Sequence, residues 1–101
     1  FRLTKQQHEL YSSIITHAES YAGKSIWEKD EARAALEILF SNIKILPLSK
    51  ELSKKAGEIS AKHDIDIIDA IIAATALFHQ LKLVTLNIKD FKKINGLKLL
   101  D

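Results

Sequence analysis

The chain has 101 residues, enough for one domain with a modest core. Its hydrophobic share of 47% and charged share of 28% are ordinary for a globular protein, and a net charge of +2 leans only slightly toward anionic partners. The absence of cysteine excludes disulfides and thiolate metal sites and suits a reducing, cytoplasmic setting; no charge-free apolar run is long enough for a membrane span, and the opening FRLTKQQHEL is too polar for a signal peptide.

In chain order, residues 5–11 read as helical and lead into a short apolar strand over 11–15. A helix is predicted over 16–24, ending near Gly23. Residues 28–42 carry Ala32, Ala35, Leu36, Leu39 and Phe40 at helical spacing, which predicts a helix with one apolar face. Ile43, Ile45 and Leu46 read as a strand before Pro47. Ser49 caps a helix to about Lys62, with Leu52, Ala56 and Ile59 facing inward. A buried helix follows over 66–79, then strands over 81–86 and 97–100. Alternating strands and helices predict a single α/β domain over 1–101, a mainly parallel sheet flanked by helices.

Asp69 is the most informative position. It lies in DIIDAIIAATAL, where Ile67, Ile68, Ile71, Ile72 and four alanines cover every side of a helical wheel. An ionised carboxylate in such surroundings needs a partner, a metal or a set of hydrogen-bond donors. Three acids share one local pattern: Thr16 before Glu19, Asp66 before Asp69, and Asn87 before Asp90, each a capping residue followed three positions later by a carboxylate. Two of these follow predicted strands, and ligands of open α/β sheets bind at the carboxyl ends of strands. Capping alone accounts for each acid, at about 1 kcal/mol and with no function. Three at one edge carry a stronger implication. Two carboxylates about 4 Å apart repel by about 4 kcal/mol at an effective dielectric of about 20. A converging set would raise one another's pKa or hold a cation, and oxygen-only donors suit Mg²⁺ or Mn²⁺.

The segments SSIITHAESYAG, DAIIAATALFHQLKLVTLNIKDF and NGLKLL resemble PIN domains, most closely the VapC-type toxins of toxin–antitoxin pairs, from about Tyr11 to the end. The resemblance implies a parallel sheet between helices and a metal-dependent endoribonuclease that hydrolyses RNA phosphodiester bonds at an acidic Mg²⁺ or Mn²⁺ site. On this sequence it implies Glu19, Asp69 and Asp90 as catalytic residues. Asp69 would be a direct metal ligand and Glu19 a ligand directly or through water. Asp90 or Asn87 would complete the shell, and Thr85 would support it. It further implies an RNA substrate, a cognate antitoxin and a homodimer.

The match departs at its front. The family opens on a central strand carrying its first catalytic aspartate, in a pattern like L-D-T-S, and nothing before Tyr11 supplies one. The chain also lacks methionine and starts at Phe1. These features together predict a PIN-like domain without its first strand and first ligand, so that the remaining acids hold a metal one ligand short. A sheet lacking its central strand leaves backbone groups unpaired on both neighbours. The place is therefore expected to be filled by a separate fragment, by a swapped strand from a second copy, or by rearrangement. The competing reading is a non-catalytic interaction module whose acids only cap helices.

The remaining candidates carry less. His8, His17, His63 and His79 lack metal spacing, and His17 points away from Glu19 on a helix. Lys50, Lys54, Lys55, Lys62, Lys89, Lys92, Lys93 and Lys98 suit either solvated faces or a phosphate backbone. Tyr21, Trp27 and Phe40 read as a satellite core or as a groove for an antitoxin segment or a second copy, with Phe40 inward and Trp27 toward a partner. Phe91 reads as the anchor of the turn that bears Asp90.

Overall fold

The computed structural model of the protein describes residues 2–4, 10–84 and 88–99. Most of the helix predicted over 5–11 lies outside them, as do Thr85, Leu86 and Asn87.

Five short strands form one sheet. β2 (Tyr11–Ser13) pairs in parallel with β3 (Lys44–Leu46), and β4 (Lys82–Val84) in parallel with β5 (Lys98–Leu99). β1 (Arg2–Thr4) lies between these pairs, in the order β3-β2-β1-β4-β5, and runs antiparallel to both neighbours. Four strands thus point one way and the central one opposes them. The expected α/β architecture is present. The central place is held by Arg2–Thr4, antiparallel to both neighbours, with Leu3 opposite Tyr11 on one side and Leu83 on the other. Backbone pairing to β2 and β4, and burial of Leu3 to 1% exposure, give the physical reason.

Six helices complete the described chain. α1 (Ile14–Ser20) begins where the sequence predicts strand to continue. Ile14 and Ile15 are β-branched and suit a strand, but the Ser13 hydroxyl accepts the Thr16 N–H at 3.2 Å and starts a helix there. The capping residue is thus Ser13 and not Thr16. Gly23, placed by the sequence at a helix end, instead precedes α2 (Lys24–Glu28), while Tyr21 closes α1.

α3 (Asp30–Ser41) matches its predicted span, but none of its residues is buried, and Ile38 and Leu39 are 68% and 54% exposed. Periodicity predicts an apolar face for α3; among the described residues it is covered only in part, with Ala32, Leu36 and Phe40 half-buried and Ala35 and Leu39 exposed. Beside it, the His17 ring meets Phe40 edge-on at 4.7 Å and lies 5.0 Å from Tyr21. The Trp27 indole N–H donates to the Tyr21 carbonyl at 2.7 Å, while the residue stays 60% exposed. Phe40 is half-buried, so the cluster is a partial satellite core with Trp27 outside it.

α4 (Lys50–His63) is capped by Ser49, whose hydroxyl accepts the Leu52 N–H at 3.1 Å, and it buries Leu52, Ala56 and Ile59 as predicted. α5 (Ile67–Phe78) is the central helix. It lies along α4 and reaches α1, β2 and β4, and its residues 70–76 are all buried. Thr75, polar among them, donates its hydroxyl to the Ile71 carbonyl at 2.8 Å. α6 (Ile88–Phe91) is a single turn pinned by Phe91, which is fully buried. No described helix is long and apolar enough to cross a membrane.

Candidate functional site

Two helices start just beyond the carboxyl ends of strands at one edge of the sheet. α1 follows β2 directly, and α6 follows β4 after residues 85–87. The first turn of α5 feels the charge of both, through Glu19 of α1 and Asp90 of α6 acting on Asp69. Asp66 caps this helix through Oδ2, which accepts the Ile68 N–H at 3.0 Å, and Asp69 lies in the first turn. That part of the sequence pattern is observed. For Glu19 it is not: the acid sits in the last turn of α1, exposed, and caps nothing at the helix start. The capping explanation for Glu19 is thereby removed. Asp90 is half-buried in α6, with the Lys93 ammonium 4.0 Å from Oδ1.

Asp69 is half-buried rather than enclosed, because the first turn of α5 projects past the apolar layer that covers residues 70–76. Its carboxyl pKa is raised from the ordinary aspartate value. Loss of hydration contributes most, followed by the negative charges of Asp66, Asp90 and Glu19. Carboxylates from α1, α5 and α6 therefore bear on Asp69. They do not close into a preformed cage: among the described residues no three Asp, Glu, His or Cys side chains are gathered closely enough to hold a metal ion. Asn87 and Thr85, the other donors implied by the sequence, lie outside the described residues.

Two neighbours escape the sequence reading. Asp66 counts there only as a cap, yet its charge bears on Asp69 more than that of Glu19 or Asp90. Lys93 is the cation beside Asp90, and its spacing of three residues on from Asp90 was the available signal.

The raised pKa fixes the sign of a stability effect. Asp69 holds its proton more tightly in the folded than in the unfolded chain. Its contribution is therefore neutral below the unfolded value and becomes destabilising as pH rises through the folded one. In metal-free buffer Asp69→Asn is expected to raise Tm at neutral pH, with the gain vanishing below the ordinary carboxylate range. Thermal melts of both proteins across that range check this, and a Tm difference independent of pH would contradict it.

The PIN domain family model matches residues 1–97. Ribonuclease VapC2 of Rickettsia felis is 29% identical over 100 residues, covering 94% of this chain and 75% of that protein. Ribonuclease VapC1 of the same organism is 59% identical over 32 residues, a local match covering 32% of this chain and only 24% of that protein. The crystal structure of VapBC2 from Rickettsia felis, bound to a DNA fragment from its promoter, superposes with a TM-score of 0.74 at 31% identity, covering 87% of this chain and 71% of that one. The chain belongs to the PIN domain family and, by this resemblance, to its VapC-type endoribonucleases.

Proposed function

We propose that the protein is the toxin of a toxin–antitoxin pair, a cytoplasmic endoribonuclease that hydrolyses RNA phosphodiester bonds with a Mg²⁺ or Mn²⁺ ion held by Asp69, Glu19 and Asp90. One observation carries this reading: Asp69 is half-buried in the first turn of α5, where loss of hydration and then the charges of Asp66, Asp90 and Glu19, from three separate helices, raise its pKa. Mutual repulsion among acids costs stability, and a cation in their midst reverses its sign. The donors are hard oxygens with no competing thiolate. Asn87 and Thr85 are assigned as further oxygen donors from the segment between β4 and α6. A cation bound there supplies activation of water and stabilisation of charge on the phosphate. Asp66 remains occupied by the Ile68 N–H and adds negative field without leaving its cap. Lys93 stands ready for a substrate phosphate.

Titration calorimetry with Mn²⁺ tests the metal, and cleavage of labelled RNA tests the activity. Binding that disappears in Asp69→Asn is expected. The second reading, an interaction module whose acids have no catalytic role, draws on Asp66, which caps α5 through the Ile68 N–H. It predicts neither metal binding nor cleavage. For partners, we assign the exposed part of the α3 face, with Trp27, Ile38 and Leu39, to the antitoxin or to a second copy in a homodimer, whose short central strand could be exchanged between copies.

A further inference from the structure

A second feature lies on the α4 side of α6. Between α4 and the turn that follows α6 is a cavity of about 320 Å³. Ile59, Leu77 and Ile94 contribute an apolar floor, with Ile59 and Ile94 almost fully buried, and Lys55, Lys62 and His63 stand around it. Among the described residues the one acid of its lining is Glu58, which the Lys55 ammonium meets at 2.8 Å and the Lys62 ammonium at 3.3 Å. One carboxylate thus serves two lysines and leaves cationic charge over. All three side chains are well exposed, at 53%, 69% and 45% for Lys55, Lys62 and Glu58. Exposed pairs of this kind are worth about 0–1 kcal/mol, so an incoming anion can take a lysine from Glu58 at little cost.

The cavity is close to the acids along the chain. Asp90 pairs with Lys93, and the next two residues, Ile94 and Asn95, already line the cavity. The turn is tied back to α6 by the Ile94 N–H on the Phe91 carbonyl at 3.1 Å. Asn95 is five positions beyond Asp90, a separation of at most about 18 Å even in an extended chain. The cavity sets surplus positive charge beside an apolar floor, and so suits an anion that also carries a flat apolar group. Single-stranded nucleic acid has both in each repeat, whereas an acidic peptide supplies only the charge.

We propose that this cavity is a subsite for a nucleotide of the bound RNA flanking the one at Asp69 and Asp90, its base lying on Ile59, Leu77 and Ile94 and its phosphate on Lys55, Lys62 and His63. The assignment rests on the ribonuclease reading and extends it to the path of the strand. It also gives Glu58 a role that a surface ion pair lacks: it competes with the phosphate for the two lysines.

The test is fluorescence anisotropy with a labelled oligouridylate in EDTA, where metal-dependent cleavage is silent. Lys55→Gln with Lys62→Gln is expected to weaken binding about tenfold and to lower the salt slope by about 0.7 per lysine. Glu58→Gln is expected to tighten binding several-fold even though it removes two ion pairs, a direction that a purely structural role would not give. Circular dichroism confirms that each variant is folded. Wild-type affinity in all variants, while the parent binds and cleaves RNA, would overturn the subsite and leave the ribonuclease reading standing. A parent that neither binds nor cleaves RNA overturns both. Variants that lose polyglutamate binding but keep that of oligouridylate would assign the cavity to an acidic protein instead.

Discussion

Asp69→Asn is expected to lower RNA cleavage in Mg²⁺ or Mn²⁺ by about 10²–10³-fold, a loss of about 3–4 kcal/mol of transition-state stabilisation. The substitution keeps the shape of the side chain and the first turn of α5, whose cap is the Asp66 carboxylate on the Ile68 N–H. What it removes is the charge on which Asp66, Asp90 and Glu19 all bear. Most changes that inactivate an enzyme also weaken its fold. Here the two effects are expected to diverge, because the same change relieves a charge the metal-free fold disfavours. Activity falling while Tm rises at neutral pH would separate lost chemistry from lost structure. Cleavage at the parental rate would remove Asp69 from the mechanism. Loss of activity together with a lowered Tm would show that the carboxylate supports the fold, as the capping interpretation holds.

How much of this was legible in the sequence differs from element to element, for physical reasons. α4 and α5 were readable because their signals are local: Ser49 and Asp66 mark their starts, and their apolar positions recur within a few turns. The start of α1 was misread where two local signals conflict. Ile14 and Ile15 favour a strand, and the Ser13 hydroxyl on the Thr16 N–H decides the matter. β1 was invisible because Arg2, Leu3 and Thr4 are too few to show alternation, and their partners include β4, far along the chain. The face of α3 was legible as apolar but not as only partly covered, since periodicity says nothing about whether the chain holds a partner for it. The site divides in the same way. That acids occur beyond strand ends and at a helix start could be read. How closely they approach is a matter of tertiary distances, and only their electrostatic effect on Asp69 brings it out.

Phe91→Ala is expected to remove about 3–5 kcal/mol of stability, the range for deleting a fully buried aromatic side chain. Against a total of about 5–15 kcal/mol for a domain, that is the largest single loss this fold should show, and it should lower Tm by at least about 12 °C. The argument is one of size. α6 has a single turn, Ile88–Phe91, too short to persist by its own hydrogen bonds. Its Lys92 N–H to Ile88 carbonyl bond, 2.8 Å, and its Ile94 N–H to Phe91 carbonyl bond, 3.1 Å, close a loop whose main deep anchor is the Phe91 ring at 0% exposure. The residue before that anchor is Asp90. Truncating the ring should therefore release Asp90 as well, and cleavage should fall by more than the unfolded fraction at the assay temperature explains. Phe91→Leu, which keeps most of the apolar volume, should recover much of both. Urea denaturation of the three proteins beside cleavage rates decides it. A loss below about 1 kcal/mol would place the anchor elsewhere, and a rate that tracks the folded fraction alone would free Asp90 from dependence on α6.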